Sequence, residues 1–185
     1  MELINISNEY KNALRVLKSG GIILYPTDTI WGIGCDATNE EAIKKIFHIK
    51  RREESKALIS LVSSKDQLKR IVKEIPKIDI TSTPTTVVYP KVNGISKLAI
   101  SSNGSAAIRI TKDTFCKKLI DKFSKPIIST SANISGEDYP KKFSEISNDI
   151  LTKVDYIVKL KQNIKMISPS KIILICENGK IKKIR

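Results

Sequence analysis

Near its beginning the chain reads Gly20-Gly21-Ile22-Ile23-Leu24-Tyr25-Pro26-Thr27-Asp28-Thr29-Ile30-Trp31-Gly32, and this stretch decides the fold. The paired glycines end a helix that the apolar spacing predicts over residues 9–19. The continuous apolar run over 22–25 predicts a short buried strand, and Pro26 ends it. A polar turn follows directly. A helix, a buried strand and a polar turn in this order indicate an α/β domain.

Helix and strand signals alternate along the rest of the chain, as they do in α/β proteins. Thr38 and Glu41 match a capping box, which predicts a helix start there, with Ile43, Ile46 and Phe47 on its buried face. The remaining predicted elements are strands over 58–62, 87–89, 106–110, 126–129, 154–160, 172–176 and 180–184, helices over 65–73, 113–123 and 141–152, a loop over 81–86 and a hairpin turn at 178–179.

The length and charge of the chain narrow the classes of protein. Its 185 residues favour a single domain over residues 1–185. Lys and Arg number 33 against 19 Asp and Glu, which gives a net charge of +14. This balance indicates a polyanionic partner, or alternatively a surface on which Lys fills solvent-exposed positions. The sequence leaves both interpretations open.

Neither a membrane span nor a secretion signal is indicated. No apolar run approaches the roughly 20 residues that a membrane span needs, and residues 1–5 lack the basic and apolar regions of a signal peptide. The three cysteines, Cys35, Cys116 and Cys176, lie far apart. Their spacing argues against a disulfide framework or a zinc site and suits a reducing compartment. We therefore expect a cytoplasmic protein that does not contact a membrane.

Four cations cluster just past the predicted second helix, at Lys50, Arg51, Arg52 and Lys56. The cluster precedes a predicted buried strand that would hold it in place. Arg can contact a phosphate with two hydrogen bonds, and Lys acts as a point charge. The pattern therefore predicts a phosphate site, and the alternative is an exposed charged face.

Polar groups at a second place complete the pattern. Residues 129–133, Ser-Thr-Ser-Ala-Asn, follow a predicted strand directly, at the position where α/β sheets bind ligands; the alternative is a capped turn. Arg109 lies inside the short apolar strand over 106–110, where a cation either points to solvent or meets an anion. Together with the cation cluster, these groups indicate chemistry on a nucleotide.

Three common site types do not fit the sequence. Residues 32–37 match Gly-x-Gly-x-x-Ala formally, but they do not follow the strand directly, and acidic residues open the next helix. No Gly-x-x-x-x-Gly-Lys-Ser/Thr occurs, which excludes a P-loop. His48 is the only histidine and has no nucleophile elbow nearby, so a Ser-His-Asp mechanism is not indicated.

Four segments in order resemble the YrdC-like threonylcarbamoyl-AMP synthase family. They are Tyr25-Pro26-Thr27-Asp28-Thr29-Ile30-Trp31-Gly32-Ile33-Gly34, Lys50-x-Arg52-x-x-Ser55-Lys56-x-Leu58-Ile59, Ala107-Ile108-Arg109-Ile110 and Ser129-Thr130-Ser131-Ala132-Asn133-Ile134-Ser135-Gly136. The resemblance implies a single α/β domain with a twisted, mixed sheet, flanked by helices, that encloses a basic concave cavity.

The resemblance also implies a reaction. L-Threonine, bicarbonate and ATP give threonylcarbamoyl-adenylate and pyrophosphate, and other proteins then transfer the threonylcarbamoyl group to an adenosine of tRNA. Mg²⁺ would add counter-charge, and tRNA or double-stranded RNA would be a further partner. The reacting carbamate and the triphosphate are both anionic, so such a site must supply positive charge and alignment rather than a nucleophile.

The family roles fall on three groups of residues in this sequence. The catalytic cations that hold the triphosphate would be Lys50, Arg52 and Lys56. The threonine contacts would be Thr29, Arg109 and Ser129, with Arg109 pairing the carboxylate. The nucleotide contacts would be Arg52, Lys56, Ser105, Ser131 and Asn133. No protein ligand for a metal is identified. Two alternatives are an RNA-binding module that uses the same cavity without catalysis, and a relative that acts on another acceptor or nucleotide.

The chain departs from the family pattern at four places. Trp31 replaces Tyr or Phe, and residues 83–86, Thr-Pro-Thr-Thr, replace a Pro-Gly-Pro run. Lys171 stands after Ser168-Pro169-Ser170 where Thr is common. Residues 59–61 read Ile-Ser-Leu where some members carry a His, so we expect a different threonine contact there.

Overall fold

A computed structural model describes residues 6–52, 58–166, 168–176 and 179–185. Within these ranges nine strands form one sheet. The strands are β1 (Ile23–Pro26), β2 (Trp31–Gly34), β3 (Ile59–Val62), β4 (Thr85–Tyr89), β5 (Ala106–Ile110), β6 (Ile127–Ser131), β7 (Tyr156–Ile157), β8 (Lys171–Ile175) and β9 (Ile181–Lys183). The helices are α1 (Ile6–Lys18), α2 (Glu40–Lys50), α3 (Lys65–Lys69), α4 (Thr114–Phe123) and α5 (Asn148–Leu151), with short 3₁₀ turns at Lys97–Ala99 and Phe143–Glu145.

The sheet is mixed, with the strand order β7-β1-β2-β6-β3-β5-β4-β8-β9. The pairs β1–β7, β3–β5 and β4–β8 are parallel, and the other neighbours are antiparallel. This confirms the predicted α/β fold with a mixed sheet flanked by helices. The domain bounds of 1–185 stay a prediction. No helix in the described ranges is long and apolar enough to span a bilayer.

Helices cover both faces of the sheet, but one face only partly. On the first face, Tyr25, Leu61 and Ile127 pack against α1 and α4. On the second face, Leu24 and Ile128 join the apolar side of α2 in another cluster. Side chains alternate along a strand, so every second residue from Tyr25 and Leu61 also faces the first side. Those residues lie beyond the area that the two helices cover. That uncovered part of the sheet is available as the floor of a cavity.

The cap of α2 differs from the prediction. The N-cap is Asn39, whose side-chain oxygen accepts from the backbone N–H of Ala42 at 3.1 Å. Thr38 donates its hydroxyl to Asp36 Oδ1 at 2.7 Å instead. The capping-box prediction is therefore wrong by one residue, because Asp36 engages the hydroxyl that the motif requires. By contrast, Asp113 caps α4 as predicted, accepting from Cys116 N at 2.9 Å.

Long-range backbone contacts shorten several predicted elements. The helix predicted over 141–152 is wrong: a 3₁₀ turn and α5 replace it, because the Lys141 carbonyl accepts from Met166 N at 2.7 Å rather than from its own helix. The helix predicted over 65–73 ends at Lys69, since Asn93 N bonds Ile71 O at 2.9 Å.

Two strand predictions also need correction. The strand predicted over 154–160 contributes only the two residues of β7, and the loop predicted over 81–86 gives its last two residues to β4. The strands β8 and β9 pair antiparallel, as the predicted hairpin requires. Asn178 of its turn lies outside the described residues.

Candidate active site

A cavity of about 380 Å³ opens on the uncovered part of the first face. Its floor is a row of four residues in register across four strands, because Ser129 pairs with Ile59, Ile59 with Ala107, and Ala107 with Val88. The row is polar at Ser129 and apolar along its remainder. The sheet therefore provides a rigid floor on which a ligand can lie with one polar end.

Arg109 is the most deeply buried cation that lines the cavity. It is 4% exposed, its Nη1 donates to Thr29 Oγ1 at 3.0 Å, and its Nη2 lies 3.2 Å from Asp28 Oδ1. Its Nε is buried without a partner. Arg109 thus meets an anion, one of the two outcomes expected for a cation in this strand. Asp28 and Thr29 hold the guanidinium in place, and its Nε–H has no protein partner.

The polar turn after β1 holds Thr29 in place. Thr27 Oγ1 accepts from the backbone N–H of Thr29 at 3.0 Å and donates to Ile30 O at 2.8 Å. The two threonine hydroxyls lie 2.9 Å apart. The turn is thereby closed on itself, as Ser and Thr side chains often close turns. The hydroxyl of Thr29 is held against Arg109 at the cavity wall.

Ser129 and Ser131 both line the cavity, because residues two apart on β6 face the same side. Gly32 of β2 lies opposite Ser131 in register. A Cβ atom at Gly32 would be 3.2 Å from Ser129 Oγ. The glycine therefore keeps open the space beside that hydroxyl.

The cation cluster does not converge on the cavity as one group. Lys50 is 1% exposed, and its Nζ donates to the carbonyls of Ser131 and Asn133 at 2.5 and 2.6 Å. Arg51 lies on the surface and pairs with Asp149 at 2.7 Å. Arg52 lines the cavity, and Lys56 lies outside the described residues. Of the cluster, the described structure brings one side chain, Arg52, to the cavity wall.

Two predicted nucleotide contacts are occupied by local hydrogen bonds. Ser105 donates its hydroxyl to Asn103 Oδ1 at 2.7 Å. Asn133 donates its amide to the carbonyls of Ile134 and Glu137 at 3.0 and 2.7 Å. Neither side chain is among the described residues that line the cavity. Their contacts with a nucleotide stay predictions.

Several residues that line the cavity are absent from the site predictions, among them the polar side chains of Tyr139, Ser170 and Arg185. Arg185 donates from Nε and Nη2 to Ser170 O at 3.2 and 3.1 Å. The hydroxyl of Ser170 lies 2.8 Å from that of Thr86. Two departures from the family pattern, at 83–86 and 168–171, thus meet in one wall. The basic tail is visible in the sequence, but its distance from the other motifs hides its place in the site.

The charge of the cavity lining is one-sided. Arg52, Arg109 and Arg185 line it, and the described lining includes no Asp or Glu. The described chain also holds no cluster of His, Cys, Asp and Glu that suits a metal ion. Fixed guanidinium groups beside serine and threonine hydroxyls suit an anionic ligand with several oxygen atoms. Fold and site together define an α/β domain with a cavity whose described lining is basic.

Comparison with known proteins agrees with this class. Residues 15–185 match the Sua5/YciO/YrdC family, described as telomere recombination. Threonylcarbamoyl-AMP synthase of Psychromonas ingrahamii is 37% identical over 143 residues, which cover 73% of this chain and 75% of that protein. The enzyme of the same name from Pseudoalteromonas translucida is 32% identical over 154 residues, covering 79% and 82%. The chain belongs to the Sua5/YciO/YrdC family, which confirms the resemblance.

A solved structure shares the fold over the whole chain. P. abyssi Sua5 complexed with L-threonine superposes with a TM-score of 0.83 at 27% identity. The match covers 100% of this chain and 55% of the Sua5 chain. The chain therefore spans about half the length of that structural relative.

The burial of Lys50 leads to a prediction about stability. Burial first, and then the neighbouring Arg52 guanidinium, lower the pKa of Lys50 from 10.5 to about 7. Between these values the unfolded chain holds a proton that the folded chain lacks, so the free energy of unfolding should rise with pH, by at most about 1.4 kcal/mol per pH unit. We expect urea unfolding from pH 7 to pH 9 to show this rise relative to Lys50→Met. Parallel profiles for the two proteins would contradict it.

Proposed function

We propose that this chain is a threonylcarbamoyl-AMP synthase that forms threonylcarbamoyl-adenylate and pyrophosphate from L-threonine, bicarbonate and ATP. The observation that carries the proposal is the convergence of Arg52, Arg109 and Arg185 with the hydroxyls of Thr29 and Ser129 on one cavity. The names of the two bacterial relatives support the activity. The threonine bound to P. abyssi Sua5 supports the amino-acid substrate.

Threonine is assigned to the Arg109 end of the cavity. Its carboxylate would accept from the guanidinium of Arg109, and the hydroxyls of Thr29 and Ser129 would bind its polar groups. Asp28 and Thr29 already fix the guanidinium, so little side-chain freedom is lost on binding. The apolar floor at Ile59 lies in the strand where some family members carry a His. Threonine binding here would therefore depend on Arg109 more than on the floor.

ATP is assigned to Arg52 and Ser131, with Arg185 as a further cation of the lining. Two guanidinium groups can neutralise and align the phosphates. Lys56, Ser105 and Asn133 complete the proposed nucleotide set. The described lining offers no carboxylate or imidazole for a metal, so Mg²⁺ would enter as counter-charge bound to the triphosphate. No step is assigned to a metal held by the protein.

The chemistry needs alignment more than covalent catalysis. The threonine amine combines with bicarbonate to give a carbamate and water. A carbamate oxygen then attacks the α-phosphorus of ATP, the bond to the bridging oxygen breaks, and pyrophosphate leaves with that oxygen. Both reactants carry negative charge, which the fixed guanidinium groups of Arg52 and Arg109 offset. The product is a reactive mixed anhydride, which suits the proposed handover to threonylcarbamoyl-transfer proteins acting on tRNA.

The proposed location and RNA contact rest on the composition of the chain. The wide spacing of the three cysteines supports a cytoplasmic protein. The net charge of +14 supports contact with tRNA or double-stranded RNA.

A pyrophosphate assay tests the proposed function. Purified protein is mixed with ATP, L-threonine and bicarbonate, and each substrate is omitted in turn. We expect pyrophosphate only from the complete mixture, and Arg52→Ala serves as the site control because it removes a cation that lines the cavity. Pyrophosphate release that ignores threonine would contradict the proposal and favour another nucleotide reaction. No release, together with salt-sensitive binding of double-stranded RNA, would favour the non-catalytic RNA-binding module.

A further inference from the structure

Lys50 joins two parts of the cavity that are far apart in sequence. From the last residue of α2, its ammonium donates to Ser131 O at 2.5 Å and to Asn133 O at 2.6 Å. Its own carbonyl accepts from Ser135 N at 2.9 Å. The side chain is buried, so these bonds are shielded from water. Three hydrogen bonds therefore tie the end of α2 to the turn after β6.

The tie determines where two cavity residues lie relative to each other. Arg52 follows Lys50 after a single residue, Arg51, which adopts the left-handed conformation with φ 48° and ψ 45°. Arg52 N then bonds Phe47 O at 2.9 Å, which closes the link against the helix. Ser131, at the other end of the tie, lines the cavity with Arg52. A shift of Lys50 would move these two groups apart.

A lysine suits this position better than an apolar residue of the same length. The carbonyls of Ser131 and Asn133 point at the buried end of the Lys50 side chain. A buried acceptor without a donor lowers the free energy of unfolding by roughly 1–3 kcal/mol. The amino group of a lysine has at least two N–H groups, whether charged or neutral, and can serve both carbonyls at once. Lys50 itself is not among the described residues that line the cavity. Its donors are directed at the backbone rather than at a ligand.

We propose that Lys50 is a positioning residue of the adenylation site, which holds Arg52 and the hydroxyls of β6 in their working arrangement and does not itself touch the triphosphate. This proposal rests on the proposed function. It replaces the direct phosphate contact that the sequence predicts for Lys50. A misplacement of about 1 Å in such an arrangement can cost roughly a hundredfold in rate.

Lys50→Met tests this role, with Lys45→Met as the matched control on the same helix. Lys45 is exposed, so its variant removes one charge of α2 without touching the tie. For Lys50→Met we expect a roughly hundredfold lower rate of pyrophosphate release at saturating substrates, and an ATP dissociation constant by calorimetry within about threefold of the wild type. Lys50→Arg, which keeps the donors, should recover part of the rate, and Lys45→Met should match the wild type.

A direct phosphate role predicts a different result. Loss of a charge-assisted contact would weaken ATP binding at least tenfold, and that outcome would overturn the proposal. A lower melting temperature with an unchanged rate per folded molecule would overturn it as well, because the role would then be structural only. If Lys50→Met does not fold, Lys50→Arg still separates the two roles: we expect a rate of pyrophosphate release below the wild type with an ATP dissociation constant close to it, and weaker ATP binding at an unchanged rate would overturn the proposal.

Hydrogen exchange separates this proposal from the proposed function. The amides of residues 132, 133 and 135 should exchange faster in Lys50→Met than in Lys45→Met, whether or not the protein turns over ATP. Slow exchange in both variants would overturn the positioning role. If the wild type releases pyrophosphate and Lys50→Met exchanges faster, the positioning role is supported. If Lys50→Met exchanges faster but the wild type releases no pyrophosphate, the proposed function is rejected and the tie is kept.

Discussion

Replacing Arg109 with Met is expected to abolish threonine-dependent pyrophosphate release and to lower the free energy of unfolding by about 3–5 kcal/mol. The stability loss follows because Asp28, 9% exposed in its side chain, would lose its charged partner and keep only the backbone N–H of Lys112, 2.9 Å from Oδ2. The loss of activity follows because the guanidinium of Arg109 is assigned to the threonine carboxylate. Loss of that contact alone should weaken threonine binding by roughly 1.5–3 kcal/mol.

A second substitution separates the two effects. In the double variant Arg109→Met, Asp28→Asn, no buried carboxylate is left uncompensated, so most of the stability should return. Activity should not return, because the threonine contact is still absent. Calorimetry on the double variant should show ATP binding close to the wild type and threonine binding weakened by roughly 1.5–3 kcal/mol. Threonine affinity retained in both variants, or ATP affinity lost instead, would show that Arg109 does not bind the amino acid.

The sequence predicts the parts of the site that local patterns determine. The strand before Pro26, the helix cap at Asp113 and the apolar strand around Arg109 depend on neighbouring residues, and they form as predicted. The alternation along β6 suffices to place Ser129 and Ser131 on one face. Short-range rules decide such elements because each residue's partners lie within a few positions of it.

Lys50 shows a signal that the charge pattern obscures. It lies seven residues after Ile43 and three after Phe47, which puts it on the buried face of α2 by helical spacing. A cation on that face must find buried acceptors, and it finds two carbonyls of the turn after β6. Proximity in sequence to Arg51 and Arg52 instead suggests one common phosphate site. The helix also ends at Lys50, because Arg51 adopts the left-handed conformation, so Arg51 and Arg52 do not continue the face on which Lys50 lies.

The other elements that the sequence does not predict correctly have one physical cause. The segment around Lys141 bonds to Met166, and the short strand β7 exists because the N–H groups of Asp155 and Tyr156 donate to Ile22 O. Neither partner can be read from the local sequence. Arg185 reaches the cavity for the same reason, since its backbone pairs with Ile172 of β8. Contacts between distant segments override local propensity at these places.

Substitution by Ala should lower stability at one glycine of β2 and threonine affinity at the other. For Gly34→Ala, the new Cβ would lie 2.4 Å from the carbonyl oxygen of Ile128 and 2.7 Å from a ring carbon of Tyr25. The carbonyl belongs to the neighbouring strand β6 and cannot rotate away. The two strands must therefore separate, at a cost of about 1–3 kcal/mol or more. Urea unfolding should show this loss, and the pyrophosphate rate should fall with it.

For Gly32→Ala, the nearest atom is a side-chain oxygen, Ser129 Oγ at 3.2 Å, with Thr130 O at 3.4 Å. The hydroxyl can turn aside, so the free energy of unfolding should change by less than about 1 kcal/mol. The added methyl group then occupies the space beside Ser129, and the KM for threonine should rise roughly tenfold. A double-mutant cycle with Ser129→Ala checks the cause, because both changes disturb one contact and their effects should not add. Fully additive effects, or a stability loss at Gly32 as large as that at Gly34, would mean that the glycine serves the sheet and not the substrate.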